Sequence, residues 1–445
     1  MIRTVIRVAV LVLAVHLIFT AHDLCAVGTS CAAESRCVTE TIGASGAIDA
    51  CDAMWASECE SSCDQMVSCT DSAALTCRIG DRCGLRPRLE DSGVAPFLYY
   101  DSICAANVDG GIQSDEDFTG QIYAGVDLDL EKLCGCDSTI MKVSMVERHG
   151  ESISESVGGI YDPMCIFGGQ VGYLYQLWVE KTFCENWAMK FGRVSADTDF
   201  ANNNLYRYSL STAINGPIRA MLLENIITSF PYPVWGGRLK YSSNDRNQLQ
   251  VGVYQIGESM WDFRKHGLDF SIRDDDGVSL LVQYDWTPQV CERPARVSLG
   301  MVKSFFEFDN FTGGGATDQF LRLYTHIEME LFEGTRTFLF ASHSDEGQVA
   351  KTPVQISVGI NRKGLIPNRP DDRTVFFATY GELSDEYGVS VGESVDYEGV
   401  FELGHRVQIC PTLYVQPALQ YVVHPGGTGD IANSTILGAW IGAAF

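Results

Sequence analysis

Past its first two dozen residues, this chain of 445 residues has no long apolar run. That excludes a bundle of transmembrane helices, each of which needs about 20 consecutive apolar residues. Proline is sparse at 14, and no linker-like tract interrupts the chain, so neither a disordered nor a collagen-like composition is present. Positive charge is short as well: 32 Lys and Arg stand against 57 Asp and Glu, a net charge of −25. A chain of that sign lacks the clustered cations that hold a nucleic-acid backbone. GxSxG, HExxH and P-loop patterns are missing, and none of His149, His266, His326, His343, His405 and His424 sits in a nucleophile motif. A barrel-borne lipase, with Ser, His and a polar partner meeting at the rim, therefore has no carrier residues. No catalytic residue is expected, and no cofactor. Cys59 and Cys63 lie one helical turn apart, but no CxxC pair or nearby histidine accompanies them, so no metal is expected either.

What is present begins with an export signal. Arg3 and Arg7 precede the apolar stretch Val8–Phe19, which is too short to span a bilayer comfortably. Residues 1–26 are expected to be a signal peptide. Sixteen cysteines fit the oxidising compartment such a signal leads to. Cys31, Cys37, Cys51, Cys59, Cys63, Cys69, Cys77 and Cys83 crowd in just behind it. The segment 27–79 is too small and too poor in apolar residues to bury a core unaided. It is expected to be a disulfide-stapled, partly helical periplasmic segment. The third unit is 80–445.

From Gly93 onward the pattern has period two. Leu413, Val415, Pro417, Leu419, Tyr421 and Val423 share one face, and Tyr414, Gln416, Ala418, Gln420 and Val422 the other. Ile122–Leu130 and Val354–Ile360 alternate in the same way. Such segments are strands with one apolar and one polar or small face. They recur near 94–102, 118–130, 139–149, 173–183, 187–196, 235–242, 248–256, 278–287, 296–306, 320–331, 336–343, 354–361, 374–383, 396–409, 412–424 and 434–445. That makes an even number of strands, many near the roughly 9–11 residues that cross a bilayer at a barrel's tilt. A soluble sandwich and a membrane barrel both alternate, with opposite faces inward. Two features favour the barrel. Tyr99, Tyr100, Trp187, Trp235, Trp286, Tyr380 and Tyr421 sit near strand ends, as girdle residues do, and the last strand puts Phe445 on its apolar face. The fold class expected is all-β: a 16-stranded antiparallel transmembrane barrel preceded by the cysteine-rich segment. Its place is the bacterial outer membrane.

Several motifs along 80–445 go further. Gly80-Asp81-Arg82-Cys83-Gly84-Leu85-Arg86-Pro87-Arg88-Leu89-Glu90-Asp91-Ser92-Gly93 is similar to GDWGGxRxxLxxxG. Asp129-Leu130-Glu131-Lys132-Leu133-Cys134-Gly135 matches DLEKxxG, and Glu147-Arg148-His149-Gly150 with Ile153-Ser154 is similar to ERxGxxLS. Gln176-Leu177-Trp178, Phe191-Gly192-Arg193, Phe200, Gly364–Asp372 and the QPxLQYxxHPGG stretch within Leu413–Gly427 follow in order. By these motifs the chain resembles the carbohydrate-selective porins of the OprB type. The resemblance implies a sixteen-stranded barrel that lets sugars diffuse down their gradient. It also implies that Arg148 reaches into the eyelet. An acidic residue is expected opposite, but Met164 stands at that position and Asp162 is the nearest carboxylate; Tyr173 stands where an arginine is often found.

A sugar-permeable constriction needs fixed donors, acceptors and aromatic rings, and its binding must stay weak enough for release. Arg148 offers five donors, with Glu147 beside it. The longest connection, 197–233, carries Asn202, Asn203, Asn204, Tyr206, Arg207 and Tyr208, and is expected to fold inward as a constriction loop. Glu180, Arg193, Arg238, Lys240, Glu402 and Arg406 are read as lumen-facing, a ladder of charges that stiffens the wall. The substrate-binding set expected at the constriction is thus Arg148, Glu147, Asp162, Glu180, Arg193, Tyr206, Arg207 and Arg238. The function expected is passive passage of mono- and small oligosaccharides. The alternatives are a general or cation-favouring porin, suggested by the charge, and an anchoring barrel that carries the cysteine-rich module. Partners expected are sugars as solutes, outer-membrane lipid, the barrel-assembly machinery through the strand ending at Phe445, and a cell-wall or periplasmic partner for the cysteine-rich segment.

Overall fold

The computed structural model describes residues 85–445 except positions 170 and 217. The expected signal peptide, 1–26, and the expected disulfide-stapled segment, 27–79, lie outside the described residues. Sixteen antiparallel strands form one closed sheet. In chain order they are β1 (Val94–Gly111), β2 (Asp115–Asp129), β3 (Thr139–Gly150), β4 (Val171–Phe183), β5 (Trp187–Val194), β6 (Val234–Asn244), β7 (Asn247–Ile256) and β8 (Gly277–Trp286). Then come β9 (Arg293–Asp309), β10 (Ala316–Phe332), β11 (Thr335–His343), β12 (Val354–Lys363), β13 (Arg373–Glu382), β14 (Tyr397–Cys410), β15 (Leu413–Val423) and β16 (Ala432–Ala444). A two-residue strand, Gln289–Val290, hooks onto the start of β9. Each strand pairs with its neighbours in sequence, and β1 pairs with β16 from Tyr99↔Ala444 onward. Closure leaves no sheet edge, which is what lets a sheet sit in hydrocarbon, where every backbone group must find its partner inside the protein.

The faces are those of a membrane barrel. Outward side chains are exposed and apolar: Leu239, Val251, Leu299, Leu323, Phe376, Leu403, Leu419 and Leu437. Inward ones are buried and often polar: Lys142, Gln176, Glu180, Lys190, Arg238, Gln283, Arg322, Glu402, Arg406 and Gln416. Among the described residues no helix is long and apolar enough to cross a membrane; the strands do so.

One end of the barrel has short connections, at 130–138, 184–186, 245–246, 287–292, 333–334, 364–372 and 411–412. The other carries the long ones, chiefly 151–170, 195–233 and 257–276. Short turns face the periplasm and long loops the exterior in barrels of this kind. Helix α1 (Leu85–Asp91) lies at the short-turn end and leads into β1 through Gly93. That residue has φ +93, and a Cβ there would meet the Asp129 carbonyl at 3.0 Å and the Lys132 Cβ at 2.9 Å. Glycine is needed because α1 turns tightly against the 130–138 turn, and this accounts for the last glycine of the opening motif. Close by, the Phe445 amide donates to the Leu98 carbonyl at 2.9 Å, and Arg86 Nη1 donates to the Phe445 carbonyl at 3.1 Å.

All sixteen expected strands are present, with the first, ninth and tenth clearly longer than expected. The Asn, Asp and Gly of 107–111 read as loop chemistry, yet β1 continues through them by register shifts at Asn107/Asp109 and Asp109/Gly111. The Asn107 amide supports the irregularity, donating to the carbonyls of Gly110 at 2.9 Å and Gln113 at 2.8 Å.

Candidate functional site

Two long loops enter the barrel. Loop 195–233 packs Phe200, Leu205, Tyr206, Ile218, Met221 and Ile227 against an apolar strip of the inner wall that includes Leu281, Phe320, Phe338, Phe340, Val375 and Phe377. The lumen face is therefore not polar throughout: on β10–β13 it is a hydrophobic seat for the loop. Loop 151–170 packs Ile153, Val157, Tyr161, Met164 and Ile166 on the adjoining wall of β14–β16 and β1, against Ile103, Val400, Val422, Ile436 and Trp440. Met164 has no exposed surface. The residue at the family's acidic position is thus a core residue under a loop.

Polar wall residues pin these loops by their backbones. Glu402 on β14 accepts from the Leu210 amide at 2.8 Å, the Ser211 amide at 3.2 Å and the Ser209 hydroxyl at 2.7 Å. Four residues earlier Glu398 accepts from the amides of Ile160 at 2.8 Å, Tyr161 at 3.2 Å and Gly426 at 2.7 Å. Gln355 brackets the first loop, accepting from the Ala220 amide at 2.9 Å and donating to the Ala213 carbonyl at 3.2 Å. Arg322 is wholly buried, paired with Glu224 of the same loop and donating to the Thr352 carbonyl at 2.7 Å. Two carboxylates held by three donors each are well satisfied despite burial.

Between the loops and the wall of β1, β2, β4, β15 and β16 a cavity of ≈ 180 Å³ remains. Rings of Tyr99, Tyr123, Tyr175, Phe230, Tyr414 and Trp440 line it, with Asp101, Gln121, Gln176, Asp197, Asn202, Arg207 and Asn215 between them. Tyr99 and Tyr123 stack at 6.1 Å, and Phe230 meets Tyr175 edge-on at 4.7 Å. Asp101 accepts from Trp440 Nε1 at 3.0 Å and from the Tyr414 hydroxyl at 3.1 Å. Behind these rings the Arg406 guanidinium lies 3.8 Å from the Tyr414 centroid and 4.4 Å from that of Tyr208, within cation–π range. On the loop side, Asp197 accepts from the Ser195 hydroxyl and from the Phe230 amide at 3.3 Å. Burial raises its carboxyl to about 6, although those donors and Arg207 pull the other way.

The expected constriction residues divide. Arg148 faces inward and is buried. Its guanidinium lies 4.2 Å from the Phe167 centroid and 5.1 Å from that of Phe230. Its Nε donates to Gln121 at 3.2 Å, while Nη1 has no hydrogen-bond partner among the described residues. Arg207 lines the cavity. Asp162 is nearby but committed, accepting from the Ser152 hydroxyl at 2.6 Å and the Met164 amide at 2.8 Å. Glu180 and Arg238 form a wall network: Arg238 reaches Glu180 at 2.6 Å and Asp199 at 3.1 Å, and Lys190 reaches Asp199 at 3.1 Å. Tyr206 belongs to the loop's anchor, its hydroxyl 2.6 Å from His326 Nδ1. Two residues face the other way. Glu147 is on the outer face, 3.0 Å from His149, because Arg148 and Val146 take the inward positions of β3. Arg193 is also outward, since Lys190 faces in and three residues reverse the face; Phe270 of loop 257–276 covers it at 5.3 Å. Tyr99 leaves the expected girdle and lines the cavity.

Sequence reasoning missed Asp101, Gln121, Tyr123, Tyr175, Tyr414 and Trp440. The signal was available. Tyr414 shares a face with Gln416 and Gln420, and Tyr123 a face with Asp127, so alternation already turns both rings inward.

Comparison with known proteins gives a consistent outcome. The family described as "Carbohydrate-selective porin, OprB family" matches residues 116–445. The chain is similar to Porin B of Pseudomonas aeruginosa, 26% identical over 417 residues, covering 82% of this chain and 91% of that protein. It is also similar to the high-pH structure of Pseudomonas putida OprB, with TM-score 0.77 and 22% identity over 82% of this chain and 97% of that one. The low-pH structure of the same protein aligns with TM-score 0.54.

Proposed function

The chain belongs to the carbohydrate-selective porin family of the OprB type, a porin of the outer membrane, and on that premise we propose that it passes mono- and small oligosaccharides by passive diffusion, with the ring-lined cavity as its selective step. A channel needs no catalytic group; it needs contacts that match the solute and release it. Sugar hydroxyls would meet the donors and acceptors of Gln121, Gln176, Asn202, Asn215 and Arg207, and C–H faces the rings of Tyr99, Tyr123, Tyr414 and Trp440. The observation that carries the reading is Arg148. Its guanidinium lies behind the cavity wall, bonded through Nε to Gln121 and set over Phe230, both cavity residues, and its buried Nη1, without a partner among the described residues, would donate a charge-assisted bond to a solute hydroxyl that moves the wall aside.

Two carboxylates at the cavity, Asp101 and Asp197, give a specific ground for the cation-favouring alternative. Planar-bilayer conductance and sugar-driven liposome swelling separate the two. The sugar reading expects swelling with glucose or short oligosaccharides and a reduced current when sugar is added. Strong cation preference with no sugar block would replace it by the general channel. Arg148→Ala is expected to weaken sugar block by about tenfold or more, since a hydrogen bond to a charged donor contributes about 1.5–3 kcal/mol, roughly ten- to 150-fold. Unchanged block in that variant would remove Arg148 from the site.

A further inference from the structure

Cys134, Gly135 and Cys136 place two cysteines one residue apart at the short-turn end of the barrel. The connection from β2 to β3 opens with one helical turn, α2 (Leu130–Cys134), capped by the Asp129 side chain, which accepts from the amides of Glu131 at 3.1 Å and Lys132 at 3.2 Å. The helical turn ends on Gly135 in the left-handed region at φ +75, a conformation glycine adopts without strain. Its amide donates to the Glu131 carbonyl at 2.9 Å, and the Cys136 amide to the Leu130 carbonyl at 3.1 Å. The chain is thereby folded back, and the sulfurs of Cys134 and Cys136 lie 3.5 Å apart, both residues exposed. Three further bonds fix the connection. Lys132 Nζ donates to the Glu90 carbonyl at 3.2 Å, the Ser138 amide to the Glu131 carboxylate at 2.9 Å, and Lys181 Nζ to the Asp137 carbonyl at 2.9 Å. The two thiols are thus held side by side in water by a rigid frame.

We propose that Cys134 and Cys136 are a thiol–disulfide exchange site on the periplasmic rim: they close on each other as a disulfide after export, and thiols of that compartment reopen them. Short turns face the periplasm, an oxidising compartment, and Cys291 on the 287–292 turn of the same rim is in a disulfide. The hydrogen bond to Cys134, and then the charge of Cys134, push the Cys136 thiol above its ordinary value, against the pull of Lys181. One sulfur therefore ionises first and attacks, while the other waits as a thiol to resolve the product. The oxidant is a disulfide-bearing oxidoreductase. The attacking thiolate joins one of its sulfurs as a mixed disulfide and releases the other; the second cysteine loses its proton and displaces the oxidoreductase. The pair gives up two protons and two electrons, and the oxidant's disulfide becomes two thiols. Reopening reverses this, with two molecules of an outside thiol oxidised to one disulfide. Exchange fits the pair better than stapling does. A bond that encloses a single residue restricts the unfolded chain very little, so it adds little stability. Exposed sulfurs also mark the labile disulfides rather than the structural ones.

The test uses the full exported chain with its native cysteines, free thiols being alkylated at lysis. Trypsin cuts after Lys132 and Lys142, so both cysteines fall in one peptide. Mapped without reductant, that peptide should carry no alkyl group and be lighter than the dithiol by two hydrogens. The purified barrel is then equilibrated with graded ratios of reduced to oxidised glutathione and alkylated again. The peptide should take up two alkyl groups at ratios that leave Cys291 unlabelled. Cys136→Ser removes the resolving thiol, and Cys134 should then retain glutathione as a mixed disulfide. Two alkylated thiols in the exported chain would overturn the proposal. So would a link from either cysteine to any other, Cys184 on the adjoining turn included. Opening only at ratios that also release Cys291 would make the bond a structural one and remove the exchange site. The mapping and the titration need no variant to fold, and no outcome depends on sugar passage.

Discussion

At the scale of single residues, the cavity joins aromatic faces to buried acids. Trp440 holds Asp101 through its indole N–H and offers its ring to the cavity. Trp440→Ala removes an aromatic contact worth about 0.5–1.5 kcal/mol, so sugar block should weaken about two- to tenfold while the barrel still assembles; titrating sugar against single-channel current checks this. Asp197 gives the pore a pH response. Burial lifts its carboxyl to about 6, above its ordinary value, so the folded chain holds the proton more tightly than the unfolded one. The loop's attachment is then strongest below about pH 4, where the unfolded chain also holds the proton, and that advantage is lost as pH rises from there through about 6. As the folded carboxyl ionises around pH 6 the cavity gains a negative charge, and cation preference should rise between pH 5 and 7. Reversal potentials across that range should show the step in the wild type and lose it in Asp197→Asn. At this scale the sequence was partly legible. Arg148 was singled out by resemblance, and the parity that turns Tyr123 and Tyr414 inward was readable. Arg193 was not, because the ring that covers it on the outer wall arrives 77 residues later, in Phe270.

At the scale of elements, the strands were legible because a membrane wall makes each one alternate, whatever happens elsewhere. Every expected strand is present, and the errors fall at ends where Asn and Gly chemistry is absorbed by bulges. The path of the loops was harder to read. The length and polar-aromatic mix of 197–233 pointed inward, but the apolar strip of Phe338, Phe340 and Phe377 that seats it looks in sequence like any half-apolar strand. Glu398 and Glu402 could not be identified as loop holders, since their donors are backbone amides from distant positions. They make a prediction about the loops. Glu402→Ala leaves the Leu210 and Ser211 amides and the Ser209 hydroxyl without their shared acceptor, a cost of about 1–3 kcal/mol for each buried donor left unsatisfied. Loop 195–233 should loosen before the barrel does, which single-channel recordings would register as added open-channel noise and a larger mean conductance. Unchanged recordings would mean that the apolar seat alone fixes the loop.

At the scale of the molecule, the outer surface and the inner one obey opposite solvents. Leu419 lies near the middle of β15 and faces outward among Leu403 and Leu437. Leu419→Arg should cost about 2–4 kcal/mol of folding free energy in bilayers, the expected penalty for a cation near the midplane, read from urea titrations of the folded barrel in lipid vesicles. A change of similar size at Gln420, its inward neighbour, should act on conductance instead. This inversion is why the whole barrel could be expected from alternation, girdles and a final phenylalanine, while the solute rests on family membership.

The seam between β1 and β16 has a consequence for assembly. Tyr99 and Asp101 come from the first strand of the barrel, Trp440 and Ala443 from the last, and they meet in one cavity only because those strands pair. Until the seam is zipped, the two halves of the cavity proposed to meet the sugar sit on opposite free edges of an open sheet. A partly assembled chain is therefore at most a leak, never a selective one, and recognition of solute reports that the circle has closed.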